Sequence, residues 1–185
     1  MTTRDQVWML NLSNGVEVPT RFIQPSDAKA LQRFHHRLSE RSIYLRFFEL
    51  VSDLSDERAR YFTELDGIQR FAIVALDPEN CSEIIAVARI DGEPKNVTGE
   101  FAVIVEDQWQ GIGLGSALMR LLFDLARRHG FRRVFAYVLS ENHQMLALVH
   151  DLGFPAHSRF EGGATRIDID LTVCSDALVS AIAAS

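Results

Sequence analysis

The sequence predicts an α/β domain of the mixed α+β kind, with helices flanking a central mixed sheet. Three observations carry that expectation. Apolar runs of strand length lie next to one another in the middle and at the end of the chain. Helical apolar stripes are inserted among them without strict alternation. One strand–helix–strand unit, residues 100 to 139, has the length of a parallel crossover, which is right-handed in nearly all sheets.

The elements follow in order. Residues 1–19 read as a lead-in, irregular apart from a hairpin signal at Ser13-Asn14-Gly15, since Asn-Gly favours tight turns. Thr20 to Gln24 is a short strand stopped by Pro25. Ser26 or Asp27 then caps a helix with Leu31, Phe34 and Leu38 on one face. SERSIYLRFFE continues that helix or starts another. Ser55 caps a further helix, with Ala59, Phe62 and Leu65 on one face, ending near Gly67. Phe71 to Leu76 and Glu83 to Ile90 are apolar runs joined by DPENCS, a turn-forming string, so they read as an antiparallel hairpin. The polar loop DGEPKNVTG leads to a strand from Glu100 to Val105.

After that strand, Leu114, Leu118, Leu121, Leu122 and Leu125 fall at helical spacing in one stripe that ends at Gly130. Val134 to Leu139 is a strand. Asn142 opens a helix with Met145, Leu148, Val149 and Leu152 on one face, stopped by Gly153. Ala156 to Glu161 and Arg166 to Val173 close the pattern around Gly162-Gly163. In the second of these, Ile167, Ile169 and Leu171 alternate with Arg166, Asp168 and Asp170. The domain is read as residues 20–174, with a tail at 175–185.

The chain has 185 residues, enough for one domain with a full core. Hydrophobic residues make up 47% and charged residues 24%, as in a soluble globular protein. The net charge of −6 argues against nucleic acid as a partner, because phosphate backbones are bound by clustered Lys and Arg. It suits a cationic acceptor. Cys81 and Cys174 form no CxxC pair and read as reduced thiols, with no zinc site. No apolar run reaches membrane-spanning length, and MTTRDQVWML lacks the apolar core of a signal peptide. The expected setting is cytoplasmic, with no membrane and no nucleic acid among the partners. A homodimer stays open.

Chemistry concentrates in GEFAVIVEDQWQGIGLGSAL, residues 99–118. A strand runs into Gly111, Gly113 and Gly115, and a helix starts directly after them. Backbone N–H groups and the positive end of a helix dipole then face any anion placed there. The string lacks the Lys-Ser or Lys-Thr of a nucleoside-triphosphate loop. Its Gly-x-Gly-x-Gly spacing differs from the GxGxxG of a dinucleotide fold, and the strand ending near Leu139 offers no clear ribose-binding acid. A diphosphate held without metal or dedicated Lys remains, as in coenzyme A. Glycines that serve only a tight turn and close packing are the structural alternative.

Two stretches resemble the GNAT family of N-acetyltransferases. Gln110-Gly111-Ile112-Gly113-Leu114-Gly115 looks like that family's acyl-CoA pyrophosphate motif, and Ser140 to Phe154 (SENHQMLALVHDLGF) is similar to its Asn–helix–Gly-Phe segment. The order of elements fits from Thr20 to Val173. RFIQPSDA, LSERSIYLRFF and GEFAVIV further resemble the acetyltransferase domain of bacterial protein-lysine acetyltransferases.

The resemblance implies a mostly antiparallel sheet with one splayed parallel strand pair. It also implies acetyl-CoA as co-substrate and no metal. Val103, Ile104 and Val105 would hydrogen-bond the pantetheine arm like a missing strand. Gln110 and the amides of Gly111, Ile112, Gly113, Leu114, Gly115 and Ser116 would hold the diphosphate. Asn142 would contact the pantetheine arm, although Asn also favours the N-cap there.

A protonated amine has no lone pair, so a base near the acceptor is useful. The resemblance places Glu100 in that role, with an ordinary solvated Glu as the alternative and Glu106 as a turn residue. The tyrosine with which many members protonate the thiolate is replaced by Val149, and nothing aims Tyr137 at sulfur. The implied function is acetyl transfer to a primary amine, a protein lysine or a small molecule, by direct attack in a ternary complex. A non-catalytic acyl-CoA sensor is the alternative from another class.

Other polar residues receive structural roles. His143 and His150 share a helix face without a carboxylate motif. His35 and His36 fall in the region that lines the acceptor site in the family. Packing and salt bridges are the expected roles of Arg41, Tyr44 and Arg46. Arg127, Arg128, Arg132 and Arg133 bracket Gly130, where they complement a helix C-terminus, the 3′-phosphate of coenzyme A being the other ligand considered.

Overall fold

The computed structural model describes residues 6–93 and 97–173. Cys174, the tail at 175–185 and part of the DGEPKNVTG loop lie outside the described residues. Eight strands, Val7–Asn11 (β1), Glu17–Phe22 (β2), Arg70–Leu76 (β3), Ile84–Gly92 (β4), Thr98–Val105 (β5), Arg133–Leu139 (β6), Ala156–Glu161 (β7) and Ala164–Asp170 (β8), form one sheet in the order β1-β2-β3-β4-β5-β6-β8-β7, and every pairing is antiparallel except β5 with β6.

Val7–Asn11 (β1) and Glu17–Phe22 (β2) form a hairpin around Ser13-Asn14-Gly15, with Gly15 at φ +83°. The turn signal is borne out, but the flanking stretch is sheet rather than irregular lead-in. Its strand signal is faint because β1 is an edge. Val7 and Met9 face solvent, and only Trp8 and Leu10 pack inward, Trp8 edge-on to Phe22 at 5.3 Å.

A short 3-10 turn, Pro25–Asp27, runs into Ala28–Arg37 (α1). Asp27 occupies the N-cap position, yet its carboxylate accepts from Arg21 at 2.7 and 2.9 Å and from the Gln24 N–H at 2.7 Å. Ser39 then starts a separate helix, Glu40–Phe47 (α2), its Oγ accepting from the Ser42 N–H at 3.2 Å. Ser55 caps Asp56–Thr63 (α3) in the same way through the Arg58 N–H.

Arg70–Leu76 (β3) and Ile84–Gly92 (β4) form the expected antiparallel hairpin, and Thr98–Val105 (β5) pairs antiparallel with β4. The long helix Leu114–Arg128 (α4) buries Leu114, Leu118, Leu122 and Leu125, with Leu121 at the margin of the stripe. Arg133–Leu139 (β6), His143–Asp151 (α5), Ala156–Glu161 (β7) and Ala164–Asp170 (β8) complete the chain. β8 lies between β6 and β7, with Ile167 and Ile169 buried in the core.

The sheet separates two cores. One gathers Leu31, Phe34, Ile43 and Ala59 against Ala72, Val74, Ile84 and Val87, and so seats α1, α2 and α3. The other gathers α4 and α5 against Phe71, Ile73, Phe101 and Val134. Burial of each large aliphatic or aromatic side chain in these cores contributes about 1.5–3 kcal/mol.

The parallel crossover positions the site. β5 and β6 pair at only three positions, Thr98 with Arg133, Gly99 with Val134 and Glu100 with Phe135. Beyond these, β5 follows β4 as far as Val105, and β6 follows β8 as far as Leu139. The two strands diverge and leave a wedge between them.

Candidate active site

The wedge opens into a cleft of about 370 Å³. Residues 100–105 of β5 form one wall and Ala136, Tyr137 and Val138 of β6 the other. The glycine turn and α5 close one end, and Ser42, Leu45 and Arg46 of α2 reach in from the side.

Hydrogen bonding sets the direction of the β5 backbone. Glu106 donates its N–H to the Ile85 carbonyl on the β4 side at 2.9 Å. Two-residue alternation then turns the backbone of Val103 and Val105 toward the wedge and that of Ile104 toward β4. The Val105 carbonyl accepts from Gln110 Nε2 at 2.9 Å, which agrees with that direction. Of the three residues expected to present backbone groups, Val103 and Val105 face the cleft. Ile104 lends its side chain to the core under α1–α3.

The turn keeps its amides open. A 3-10 turn, Asp107–Trp109, leads to Gly111 at φ +76° and Gly113 at φ +89°. L side chains pay about 1–2 kcal/mol in that region. A Cβ on Gly111 would meet nothing within 4 Å, and one on Gly113 only Ser13 Oγ at 4.0 Å, so the space before them is clear. Gly113 is the N-cap of α4 and has no side chain to cap it. The N–H groups of Leu114, Gly115 and Ser116 therefore lack intrahelical partners. Gly115 serves packing instead, since a Cβ there would approach Leu148 Cδ1 to 3.0 Å. Leu114 is fully buried and Ile112 packs on the core, so both can present only backbone to a ligand.

Gln110 has a structural task in this arrangement. Its Nε2 donates to the Val105 carbonyl and, at 3.3 Å, to Ser42 Oγ, and its N–H bonds the Asp107 carbonyl at 3.2 Å. Asp107 accepts from the Ser39 N–H at 3.0 Å, the Ser39 hydroxyl at 2.6 Å and the Ser42 hydroxyl at 2.8 Å. Burial pushes the Asp107 carboxyl up, but these bonds prevail and hold it below the ordinary carboxylate value. Together they pin the start of α2 to the glycine turn.

Glu100 is exposed and lines the cleft at the apex of the wedge. Alternation puts it on the same face as Ala102 and Ile104, with Phe101, Val103 and Val105 opposite. Glu106, expected as a turn residue, is 4% exposed and accepts from Arg37 Nε at 3.0 Å, so it is the buried half of an ion pair with a partly exposed arginine.

Asn142 caps α5, its Oδ1 accepting from the Met145 N–H at 3.1 Å. It also lines the cleft, and its Nδ2 has no partner among the described residues. Val149 is 4% exposed, packs in the main core and is absent from the cleft wall. Tyr137 does line the cleft, and its hydroxyl accepts from Arg166 Nη1 at 3.0 Å. Strand parity alone gave no signal of that.

Arg46 meets only half of its expected role. It packs, its guanidinium lying 5.0 Å from the centre of the Phe47 ring, but it forms no hydrogen bond and no salt bridge among the described residues. Burial pulls its pKa down to about 10, helped by Arg89 and opposed by Glu100 and Asp91. His35 is 3% exposed, with neither ring nitrogen hydrogen-bonded among the described residues, while His36 stands at the surface 3.7 Å from Asp53. His143 and His150 are exposed on α5. Arg128 pairs with Asp124 one turn earlier at 2.8 Å. Among the described residues no group of three or more His, Cys, Asp or Glu could hold a metal. No described helix is long and apolar enough to cross a membrane.

Comparison with known proteins matches this geometry to a family. The model of the acetyltransferase (GNAT) family fits residues 34–154. An acetyltransferase of Pseudomonas aeruginosa is 32% identical over 149 residues, which cover 80% of each chain. The GNAT domain of PAT from S. lividans superposes with a TM-score of 0.83 at 31% identity, covering 92% of this chain and 99% of that one. A phosphinothricin acetyltransferase from Sinorhizobium meliloti, solved in complex with acetyl-CoA, has the same fold at 20% identity. Its TM-score is 0.65, with 83% of this chain and 88% of that one covered.

Proposed function

This chain belongs to the GNAT family of acetyltransferases, and on that premise we propose that it transfers acetyl from acetyl-CoA to a primary amine by direct attack in a ternary complex. A protein lysine and a small-molecule amine both meet that description. The acidic chain, and the resemblance of RFIQPSDA, LSERSIYLRFF and GEFAVIV to protein-lysine acetyltransferase domains, favour a cationic acceptor such as lysine.

The observation that carries the proposal is the wedge itself. Among the described residues β5 has no strand partner on its outer side after Glu100, and at its far end an uncapped helix N-terminus faces open space. An extended arm ending in a diphosphate fits both halves. The backbone of Val103 and Val105 bonds the arm as a neighbouring strand would. The amides of Gly111 to Ser116 take the diphosphate, with the helix dipole in the same sense. Asn142 offers its free Nδ2 to the arm. Gln110 acts by holding the end of β5 against the turn.

Acetyl-CoA supplies the acyl group as a thioester, whose thiol, with a pKa near 8.5, is a fair leaving group. The amine nitrogen bonds to the carbonyl carbon as the carbon–sulfur bond breaks. Glu100 takes the amine proton, directly or through water, because attack needs the lone pair. A wedge-facing N–H of β5 polarises the carbonyl oxygen. The thiolate regains a proton from water or from the attacking nitrogen, which sheds a second proton as it becomes the amide, since position 149 holds an apolar side chain. The exposed free thiol of Cys81 supports a reducing, cytoplasmic setting.

The direct test incubates the protein with isotopically labelled acetyl-CoA and a cell lysate and reads labelled amines by mass spectrometry. Label on proteins or small molecules, dependent on the enzyme, is expected. Acetyl-CoA binding without any labelled product would return the protein to the sensor reading.

A further inference from the structure

The cleft contains a cation, Arg46, with no ion-pair partner among the described residues. Other sunken arginines near the site have carboxylates at bonding distance. Arg37 meets Glu83 and Glu106 at 2.7 and 3.0 Å, Arg89 meets Asp91 at 2.6 Å, and Arg21 meets Asp27 at 2.7 Å. Arg46 has no such partner among the described residues. It is only partly exposed and lines both the main cleft and a smaller, mostly apolar cavity of about 50 Å³. Desolvating a charge without a partner opposes folding, so an unpaired guanidinium in this position fits a ligand better than the fold.

Its place along the cleft identifies the ligand. The charged groups that act on Arg46 are Arg89, Glu100 and Asp91. In the sheet register Asp91 lies opposite Glu100 and Arg89 opposite Ala102, so all of them stand at the apex of the wedge. The glycine turn lies beyond the other end of β5, five residues on from Glu100 at Val105, or about 17 Å along the strand. Arg46 thus neighbours the acceptor base rather than the diphosphate cradle. Glu100 influences it without forming an ion pair, which leaves one anion and one cation separately available on the same side of the site.

We infer that Arg46 binds a carboxylate carried by the acceptor, so that the amine deprotonated at Glu100 belongs to a molecule bearing both groups. This rests on the acetyl-transfer reading above. The planar guanidinium suits a carboxylate through two parallel hydrogen bonds, which a lysine ammonium cannot match. The carboxylate is either the α-carboxylate of a free amino acid or the side chain of an acidic residue beside a lysine in a peptide.

Steady-state kinetics on paired acceptors test this. L-lysine is compared with 1,5-diaminopentane, and a blocked Glu-Lys-Gly peptide with its Gln-Lys-Gly counterpart. The wild type is expected to favour the carboxylate-bearing member of at least one pair by about 10- to 100-fold in kcat/KM, and the pair that responds names the source. Arg46→Gln should remove the preference, chiefly through KM, while acetyl-CoA affinity measured by calorimetry stays within about twofold. Its Tm should hold or rise, since an uncompensated charge is removed; a merely structural arginine would lower it.

Equal loss on both members of each pair, weaker acetyl-CoA binding or a fallen Tm in Arg46→Gln would overturn the assignment. So would a wild type that does not discriminate. Absence of transfer to every acceptor, despite acetyl-CoA binding, would instead strike at the acetyl-transfer reading and remove the assignment with it.

Discussion

Glu100 and Phe135 are the last residues to face each other across β5 and β6, and the sheet parts immediately after them. The base candidate therefore stands at the apex of the wedge, with paired strand behind it and unpaired strand ahead. A ligand arm lying along Val103 and Val105 would bring its reactive end toward Glu100. That relation predicts the behaviour of Glu100→Gln. The amide keeps size and polarity but cannot accept the amine proton, so kcat/KM should fall by about 10²- to 10⁴-fold. Acetyl-CoA affinity should stay within about twofold in calorimetry, because the cradle lies at the other end of the strand. Full activity in the variant would remove Glu100 from the mechanism.

The glycine turn allows a matched comparison. Gly113 and Gly130 have nearly the same backbone, φ +89° and φ +91°, but Gly113 opens α4 beside the cleft and Gly130 follows its far end. Alanine at either should cost about 1–2 kcal/mol of stability through the left-handed strain. Only Gly113→Ala should also weaken acetyl-CoA, by about tenfold or more, since it disturbs amides expected to hold the diphosphate. Equal affinities in the two variants would show that the turn does not bind the ligand.

Much of this site is legible in the chain because its parts are local. A strand, a glycine turn and a helix start are contiguous from Thr98 to Arg128, so spacing alone places the cradle and Glu100 on one unit. The β1–β2 hairpin is harder to read. An edge strand with one lightly covered face alternates weakly, and its Asn-Gly turn is the stronger mark. The wedge leaves no local trace either, because it depends on where pairing between β5 and β6 stops. Nothing in SERSIYLRFF separates Arg46 from Arg41, since its lack of an ion-pair partner among the described residues is a property of tertiary packing. The same holds for Asp107, whose ties to Ser39 and Ser42 span 68 and 65 residues.

Those ties predict a coupling between the two halves of the site. Asp107→Ala would free Ser39 and Ser42 from the glycine turn and loosen the start of α2. We expect acceptor KM to rise several-fold with a smaller change in acetyl-CoA affinity, because the turn retains its glycine geometry while α2 does not. The pH dependence has a definite sign. The bonded carboxylate titrates below its unfolded value of about 3.9, so its stabilisation is complete above that pH and is lost as pH falls through the lower, folded value. Acid unfolding should therefore begin at higher pH in Asp107→Ala than in the wild type. Coincident acid transitions would mean that the bonds contribute nothing net.

His35 predicts a second pH effect, in a separate window. Burial is the main cause that lowers its pKa, His36 and Arg58 add to it, and Asp53 opposes. Above about pH 6.5 the ring is neutral in both folded and unfolded chains, and its ionisation has no bearing on stability. As pH falls below that value the unfolded chain takes up a proton that the folded chain refuses. Stability then declines until the lowered folded value is reached. His129, stacked on Phe71 at 4.8 Å, is shifted in the same direction by burial and adds to the slope. Ordinary carboxylates titrate lower, so between about pH 7 and about pH 5.5 the histidines dominate. Phenylalanine suits position 35, because the cavity beside it is lined largely by apolar side chains and neither ring nitrogen is hydrogen-bonded among the described residues. Denaturant unfolding at both pH values should show the wild type losing stability and His35→Phe losing less, with His129 accounting for part of what remains. Equal losses in the two proteins would show that His35 accepts its proton as readily when folded as when unfolded.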